Sequence, residues 1–263
     1  MKSTIITIDG GSGSKIDLPG VFSEPLRPDL IRKGFSSEMA NKRTPYGPSK
    51  KGGMRHAVST WGKGRGVSRV QRLTGGRNAA ESPNNVGGRR AHPPVVEKNW
   101  GEKINKKEYR KAIRSALAAT AQVEVVRKRG HKFDDDVKLP LVIESGFETL
   151  HKTIDDTHED ISYTKKVKET IETLGLGDDV VRAKDGRHIR AGRGKMRGRR
   201  YKSPRSILVV LSEFNGMEKA IKNLAGVEVT TPEKLTLEKL APGGDPGRLT
   251  IYTEQAIKKL EGF

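Results

Sequence analysis

The sequence predicts an α/β fold: a mostly parallel sheet of four to five strands covered by helices, with a long extended basic loop inserted after the first helix. Three observations predict it. Short apolar runs alternate with amphipathic segments through the C-terminal third, the pattern of a parallel sheet with short crossovers. All of the net charge sits in two stretches. One of those stretches is broken by Gly and Pro too often to build regular elements of its own.

The elements follow in chain order. Thr4–Ile8 is apolar-rich and ends at Asp9-Gly10-Gly11, a strand followed by a turn. Ile31, Phe35 and Met39 recur at helical spacing. Residues 105–121 make the strongest helix: Asn105 with Glu108 three positions on has the form of a capping box, and Tyr109, Ile113, Ala116, Leu117 and Thr120 share one face. Leu139 to Ile143 reads as a buried strand. Val167, Ile171 and Leu174 mark a helix stopped by Gly175 and Gly177. Ile207–Leu211 (strand), Met217–Ala225 (helix), Val227–Thr230 (strand), Leu235–Leu240 (short helix), Leu249–Tyr252 (strand) and Thr253–Leu260 (helix) complete the alternation.

The chain has 263 residues, 51 Lys and Arg, 32 Asp and Glu, and a formal charge of +19. Residues 41–100 hold 13 Lys and Arg against 2 acids, a local +11, and residues 182–205 hold 11 against 1, a local +10. Everything else sums to −2, so a near-neutral domain carries two cationic strips. The first strip has ten Gly and five Pro and little apolar periodicity, too little apolar surface to offset the entropy of ordering by itself. The expected division is a discontinuous globular domain, 1–40 and 99–263, that includes the basic segment 182–205, and an insertion at 41–98.

Several function classes are excluded. With no cysteine there is no disulfide framework, Cys-ligated zinc or thiol nucleophile. No apolar run is long enough to span a membrane, and the N-terminus lacks a secretory apolar stretch. Gly10-Gly11-Ser12-Gly13-Ser14-Lys15 follows a strand but has neither Walker nor dinucleotide spacing, and Pro19 opposes an immediate helix, so a plain turn is the better reading. His151, Asp155 and His158 sit in an acidic, polar neighbourhood that reads as solvated rather than metal-binding. Asp134-Asp135-Asp136 reads as a surface acidic turn facing Arg127, Lys128 or Arg129. No GxSxG elbow is present, and nothing supports catalysis, a cofactor or a metal.

The strips point to a polyanion, most simply nucleic acid. Gly lets backbone approach phosphate, and Arg forks onto it bidentately. In the first strip the candidate contacts are Arg43, Lys50, Lys51, Arg55, Lys63, Arg65, Arg69, Arg72, Arg77, Arg89, Arg90 and His92. In the second they are Arg187, Arg190, Arg193, Lys195, Arg197, Arg199 and Arg200. Tyr46, Trp61 and Tyr201 lie among these cations with no core to join and read as stacking platforms for bases, while Trp100 fits equally a hinge anchor.

The ordered motifs GKGRG (62–66), GGRRAHPP (87–94), NKKEYRKAIRSALAATA (105–121), RGHKFDD (129–135), AGRGKMRGRRY (191–201) and LTIYTE (249–254) resemble, over essentially the whole chain, the universal large-subunit ribosomal protein four family in its archaeal form. The resemblance implies a non-enzymatic, cytoplasmic ribosomal component that binds large-subunit ribosomal RNA and touches neighbouring ribosomal proteins, with no membrane. It implies that 41–98 threads through RNA and helps line the nascent-peptide exit tunnel, meeting the nascent peptide there. The tip then falls within about Trp61–Gly76, with Arg65, Val67, Arg69 and Arg72 as tip candidates. About 28 residues each way reach at most ~90 Å, enough to cross much of a subunit's RNA. The alternative reading is a non-ribosomal nucleic-acid packaging protein. A nucleotide-dependent enzyme would instead need tight nucleotide binding at the Gly10 turn.

Overall fold

The computed structural model describes residues 2–150 and 162–262. Strand β1 (Lys2–Ile6) turns through Gly10 into β2 (Ser12–Asp17), and α1 (Pro28–Asn41) follows. Two short strands come next, β3 (Val58–Ser59) and β4 (Arg72–Leu73). Helices α2 (Lys106–Thr120) and α3 (Val123–Lys128) lead into β5 (Leu141–Ile143). Helices α4 (Tyr163–Thr173) and α5 (Gly177–Asp185) precede a small hairpin of β6 (His188–Ile189) and β7 (Tyr201–Lys202). The rest alternates: β8 (Leu208–Val210), α6 (Met217–Lys222), β9 (Glu228–Thr230), α7 (Leu237–Leu240), β10 (Thr250–Thr253) and α8 (Glu254–Lys259).

The chain divides into two compact units, residues 1–39 with 102–263, and residues 40–101. In the first unit the sheet runs β2-β1-β5-β10-β8-β9, with β2 antiparallel to β1 and every other pairing parallel. Its central parallel strands β5, β10 and β8 are buried on both faces, as parallel strands covered on both sides must be. Val142, Leu208, Val210 and Tyr252 face one core with Ile31 of α1, Ile113 and Leu117 of α2, and Ile257 of α8. Leu141, Ile143, Val209 and Ile251 face the other with Val126 of α3, Val167 and Ile171 of α4, and Ile221 of α6. The period of two along each strand thus sorts successive residues into opposite cores. Each such fully buried side chain stabilises by about 1.5–3 kcal/mol relative to exposure.

Close approaches tighten this packing. Gly34 on α1 lies so near Leu237 that a Cβ there would collide with it. Gly247 has φ +90°, and a Cβ would stand 2.7 Å from Val125 Cγ1 and 2.8 Å from its carbonyl oxygen, so the chain entering β10 presses directly on α3. Glu38 of α1 accepts from the amides of Leu237 (3.2 Å) and Glu238 (2.8 Å), a cap for α7 supplied from about 200 residues away.

Several expectations need correction. The sheet has six strands rather than four to five, because Ser12–Asp17 pairs back on β1 across the Gly10 turn. That segment is almost wholly exposed and polar, so no apolar alternation advertised it. The first strand is Lys2–Ile6, not Thr4–Ile8. Asn105 is the N-cap of α2, but its side chain makes no capping hydrogen bond. Helices α3 and α5 were not expected; the last four residues of α5 overlap the second basic strip, so Arg182 and Lys184 are helical. Helix α6 ends at Lys222 rather than Ala225. His151, Asp155 and His158 lie outside the described residues.

The two ends of the sheet differ in chemistry. Beyond the carboxyl ends of β5, β8 and β10, the buried Glu148 carboxylate accepts from Ser212 N (2.6 Å), Ser212 Oγ and Thr253 Oγ1 (2.5 Å). The chain leaves β5 toward one core and leaves β10 toward the other, which makes this the switch-point crevice where α/β sheets usually take a ligand. Here the chain's own side chains fill it. At the amino ends, Arg248 is fully buried and donates to Ser206 O (2.9 Å), Lys239 O (2.8 Å) and Glu228 Oε2 (2.5 Å). Burial lowers its pKa and the Glu228 carboxylate opposes that shift.

Candidate nucleic-acid interface

The second basic strip is a hairpin with a structured turn. His188 pairs with Lys202 and Ile189 with Tyr201, and the Arg190 amide donates to Arg200 O at 2.9 Å. A 3-10 turn at Arg193–Met196 carries the chain round, and Gly198 at φ +76° lets Arg197 and Arg199 both donate their amides to Gly194 O at 3.1 Å. Several backbone bonds therefore close within the hairpin while the side chains point away from any core. Arg187, Arg193, Lys195, Arg197, Arg199, Arg200 and Tyr201 are exposed, and Arg190 is half-buried, its Nε lacking a hydrogen-bond partner among the described residues. Among the described residues none of these cations forms an ion pair. Arg187 lies over the Tyr201 ring at 4.3 Å and Arg200 at 5.8 Å.

The hairpin's root is fixed by a buried carboxylate. Asp179 of α5 accepts from His131 Nδ1 (3.0 Å), Lys132 N (3.1 Å), Arg182 Nε (2.9 Å) and Ser206 Oγ (2.7 Å). Arg182 reaches on to Arg205 O at 2.8 Å, tying α5 to the strand that leaves the hairpin. At Gly186 a Cβ would stand 2.6 Å from Pro204 Cγ, so the two arms meet closely there. Sequence reading missed Asp179, His131, Ser206 and Arg248. The available signal was a lone Asp on an amphipathic helix, beside an RGH segment already singled out for other reasons.

Within the 40–101 unit, the outgoing and returning arms lie side by side. A Cβ on Gly101 would meet Asn41 Oδ1 at 2.8 Å, and one on Gly47 would meet Pro94 O at 2.5 Å. Lys50 pairs with Glu97 at 2.6 Å, Gly53 abuts Arg89, and Val58 pairs with Leu73. Between Ser59 and Arg72 lies the segment that carries Trp61, Lys63, Arg65, Val67 and Arg69; of these only Trp61 is half-buried and the others are exposed. Arg43, Tyr46, Lys51, Arg55, Arg77, Arg90 and His92 are exposed as well.

Two candidate contacts carry internal work. Arg72 is half-buried and donates Nη1 to Arg77 O at 2.6 Å and Nη2 to Ser68 Oγ at 3.3 Å, which holds its own loop closed. Its guanidinium stands 5.3 Å from the Trp61 ring centre and that of Arg65 stands 5.8 Å away, so Trp61 meets cations of its own chain. Trp100 has Arg43 at 4.0 Å and Lys98 at 4.3 Å from its ring centre. The Asp134–Asp136 run is a surface turn, with Asp135 paired to Arg127.

The Gly10 turn uses its polar groups locally: Gly11 N donates to Thr7 Oγ1 at 2.9 Å and Gly10 N to Thr7 O at 3.0 Å, and a strand follows rather than a helix. It offers no phosphate cradle. Among the described residues no three His, Asp or Glu side chains converge as a metal site would need, and no helix is long and apolar enough to cross a membrane.

A filled switch point and two strips of exposed cations, most of them without an acidic partner among the described residues, are the features of a scaffold protein that meets a polyanion. The family model described as "Ribosomal protein L4/L1 family" matches residues 16–263. Large ribosomal subunit protein uL4 of Methanococcoides burtonii is 47% identical over 261 residues, covering 99% of this chain and 98% of its own. The Methanocaldococcus jannaschii protein of the same name is 48% identical with the same coverage, and that of Halobacterium salinarum is 43% identical over 260 residues, 99% of each chain. The chain belongs to the ribosomal protein L4/L1 family.

Proposed function

We propose that this chain is a structural, non-enzymatic component of the large ribosomal subunit in the cytoplasm. It binds large-subunit ribosomal RNA and packs beside neighbouring ribosomal proteins. The observation that carries this reading is the set of exposed cations on the 187–201 hairpin that have no acidic partner among the described residues. Such a surface is held together by local backbone bonds and left for an external anion to neutralise, and release of counterions then favours assembly.

Residues 41–98 act as the RNA-penetrating insertion, and the segment around Arg65, Val67 and Arg69 helps line the nascent-peptide exit tunnel, where the nascent peptide passes. The side-by-side arms support this reading, because a doubled strand with its Gly and Pro bends fits a narrow path between phosphates. Arg72 acts within this segment as a clamp. Trp61 and Tyr201 contribute cation–aromatic stacks, and a base reaches either ring by displacing an Arg.

Reconstitution tests the proposal. Chain lacking residues 60–71 should still bind isolated large-subunit RNA through the hairpin and should assemble into subunits with altered chemical reactivity of RNA at the tunnel wall. Co-sedimentation away from large subunits, or equal affinity for bulk DNA in high salt, would overturn the ribosomal reading.

A further inference from the structure

A cleft of about 630 Å³ opens at the amino ends of the strands, beside the root of the β6–β7 hairpin. Its charged wall is Arg32, Lys128, Arg129, Arg182 and Arg205, with Asp245 among them. Pro204 and Pro246 make part of its rigid remainder. None of these five cations belongs to the exposed turn of the hairpin, and four different segments of the chain supply them.

The partners of each cation decide how much charge is left over. Arg129 donates to the carbonyl oxygens of Pro242 (2.5 Å), Asp245 and Pro246 (3.4 Å), which position the guanidinium without neutralising it. Burial lowers its pKa, and the nearby Arg248 and Arg182 charges act in the same direction while the Asp245 charge opposes them. Arg182 shares Asp179 with His131 and Ser206. Arg205 shares Glu228 with the buried Arg248. Arg32 pairs with Asp245 at 3.1 Å, with both side chains largely in solvent. Lys128 is exposed and forms no ion pair among the described residues. The cleft thus holds an excess of positive charge, part of it fixed in place on Arg129 and Arg182. Like charges gathered this way do not stabilise a fold, so they call for an external anion.

We propose that this cleft binds the phosphodiester backbone of an RNA strand, as a docking point on the globular unit in addition to the insertion and the hairpin turn. The proposal rests on the RNA-binding reading above. RNA is favoured over an acidic protein segment because the cleft is continuous with the hairpin: Arg182 is bonded to Arg205 O, and Pro204 belongs to both the cleft and the hairpin root. A strand following the hairpin's cations meets the cleft next. The positioning is indirect but firm, since Asp179 holds Arg182 and backbone carbonyls hold Arg129.

The test uses the full chain and the absence of cysteine. A Lys128→Cys variant carrying a tethered iron chelate places a hydroxyl-radical source at the cleft, and an Arg197→Cys variant places one at the hairpin turn. Bound to large-subunit ribosomal RNA, both should cut the RNA at discrete places. The R32Q/K128Q variant should lower the slope of log affinity against log salt by about 1–2, as loss of one or two phosphate contacts requires. Both substitutions are at exposed side chains, so folding is retained, and circular dichroism verifies it. R197Q/R199Q serves as the hairpin reference. If the hairpin variants respond and the cleft variants neither cut RNA nor change the slope, the cleft proposal fails while the RNA reading stands. If neither pair responds, the RNA reading itself fails. If a polyglutamate peptide or inorganic triphosphate saturates the cleft while Lys128→Cys leaves RNA uncut, the occupant is not an RNA strand.

Discussion

Nδ1 of His131 lies 3.0 Å from Oδ2 of Asp179, with the two side chains 3% and 0% exposed. This contact joins the loop after α3 to α5, and Ser206 and Arg182 complete the set of donors around the same carboxylate. Burial alone would raise the Asp179 pKa, but hydrogen bonds from His131, Arg182 and Ser206 outweigh it and hold the carboxyl well below the usual range. A folded-state value below the unfolded one means that this group's stabilisation is complete above about pH 4, the unfolded value. It is lost as pH falls toward the folded value. Asp179→Asn should therefore cost about 3 kcal/mol at neutral pH. The gap to the parent should narrow below about pH 4. Urea midpoints measured between these limits test it; a gap that does not change with pH would show that the carboxylate charge is not what matters.

Glu148 predicts a different kind of loss. Its carboxylate satisfies three donors on Ser212 and Thr253 in a buried site. Glu148→Ala strands them, at about 1–3 kcal/mol for each unsatisfied group. A total loss of roughly 3–5 kcal/mol in chemical denaturation is expected. A loss under about 1 kcal/mol would mean that water replaces the carboxylate and that the crevice is not tightly filled.

Gly247 is a backbone prediction. Gly247→Ala must adopt φ +90° and place a methyl group 2.7 Å from Val125 Cγ1. Strain and overpacking together should cost about 2–4 kcal/mol. Gly192→Ala, at a position where a Cβ meets nothing within 4 Å and φ is not positive, is the control and should be nearly neutral. Thermal melts of the pair distinguish local crowding from a general intolerance of glycine replacement.

On the hairpin, Arg197, Arg199 and Arg200 are exposed cations outside every ion pair among the described residues. Replacing all three with Gln should leave the melting temperature within a few degrees of the parent and reduce the salt slope of RNA binding by roughly 2–3. Loss of affinity with no change in slope would place these side chains away from phosphate.

Limited tryptic digestion of the free chain should cut first at Lys63, Arg65 or Arg69, which are exposed between the paired arms. Cleavage in α2 or α4 before that segment would contradict the reading of 41–98 as an insertion with too little apolar surface to order by itself.

Much of the architecture was legible from strand–helix alternation, because Ile207–Leu211, Val227–Thr230 and Leu249–Tyr252, which overlap β8, β9 and β10, are strand-type segments between helical ones. What was not legible has physical causes. Strand β2 is held by pairing with β1 rather than by burial, so its sequence SGSKID carries no pattern. The Asn105 motif had capping form, but form does not determine where the side chain points. At the interface, the cationic strips were plain in the charge distribution. Arg248 and Asp179 were not, since charged residues that are buried through long-range pairing look the same in sequence as exposed ones. Arg72 illustrates the reverse: it read as a tip contact, and the fold uses it to close its own loop.

Trp61 and Trp100 are the chain's two tryptophans, both lie in the 40–101 unit, and both carry cations against their rings. Indole emission is therefore an intrinsic optical reporter of that unit alone. The globular unit, whose aromatics are Tyr and Phe, is silent in the same channel. A ligand that draws Arg43 or Arg72 away from its ring changes the emission spectrum with no label attached, and the 40–101 unit can be followed by itself during assembly.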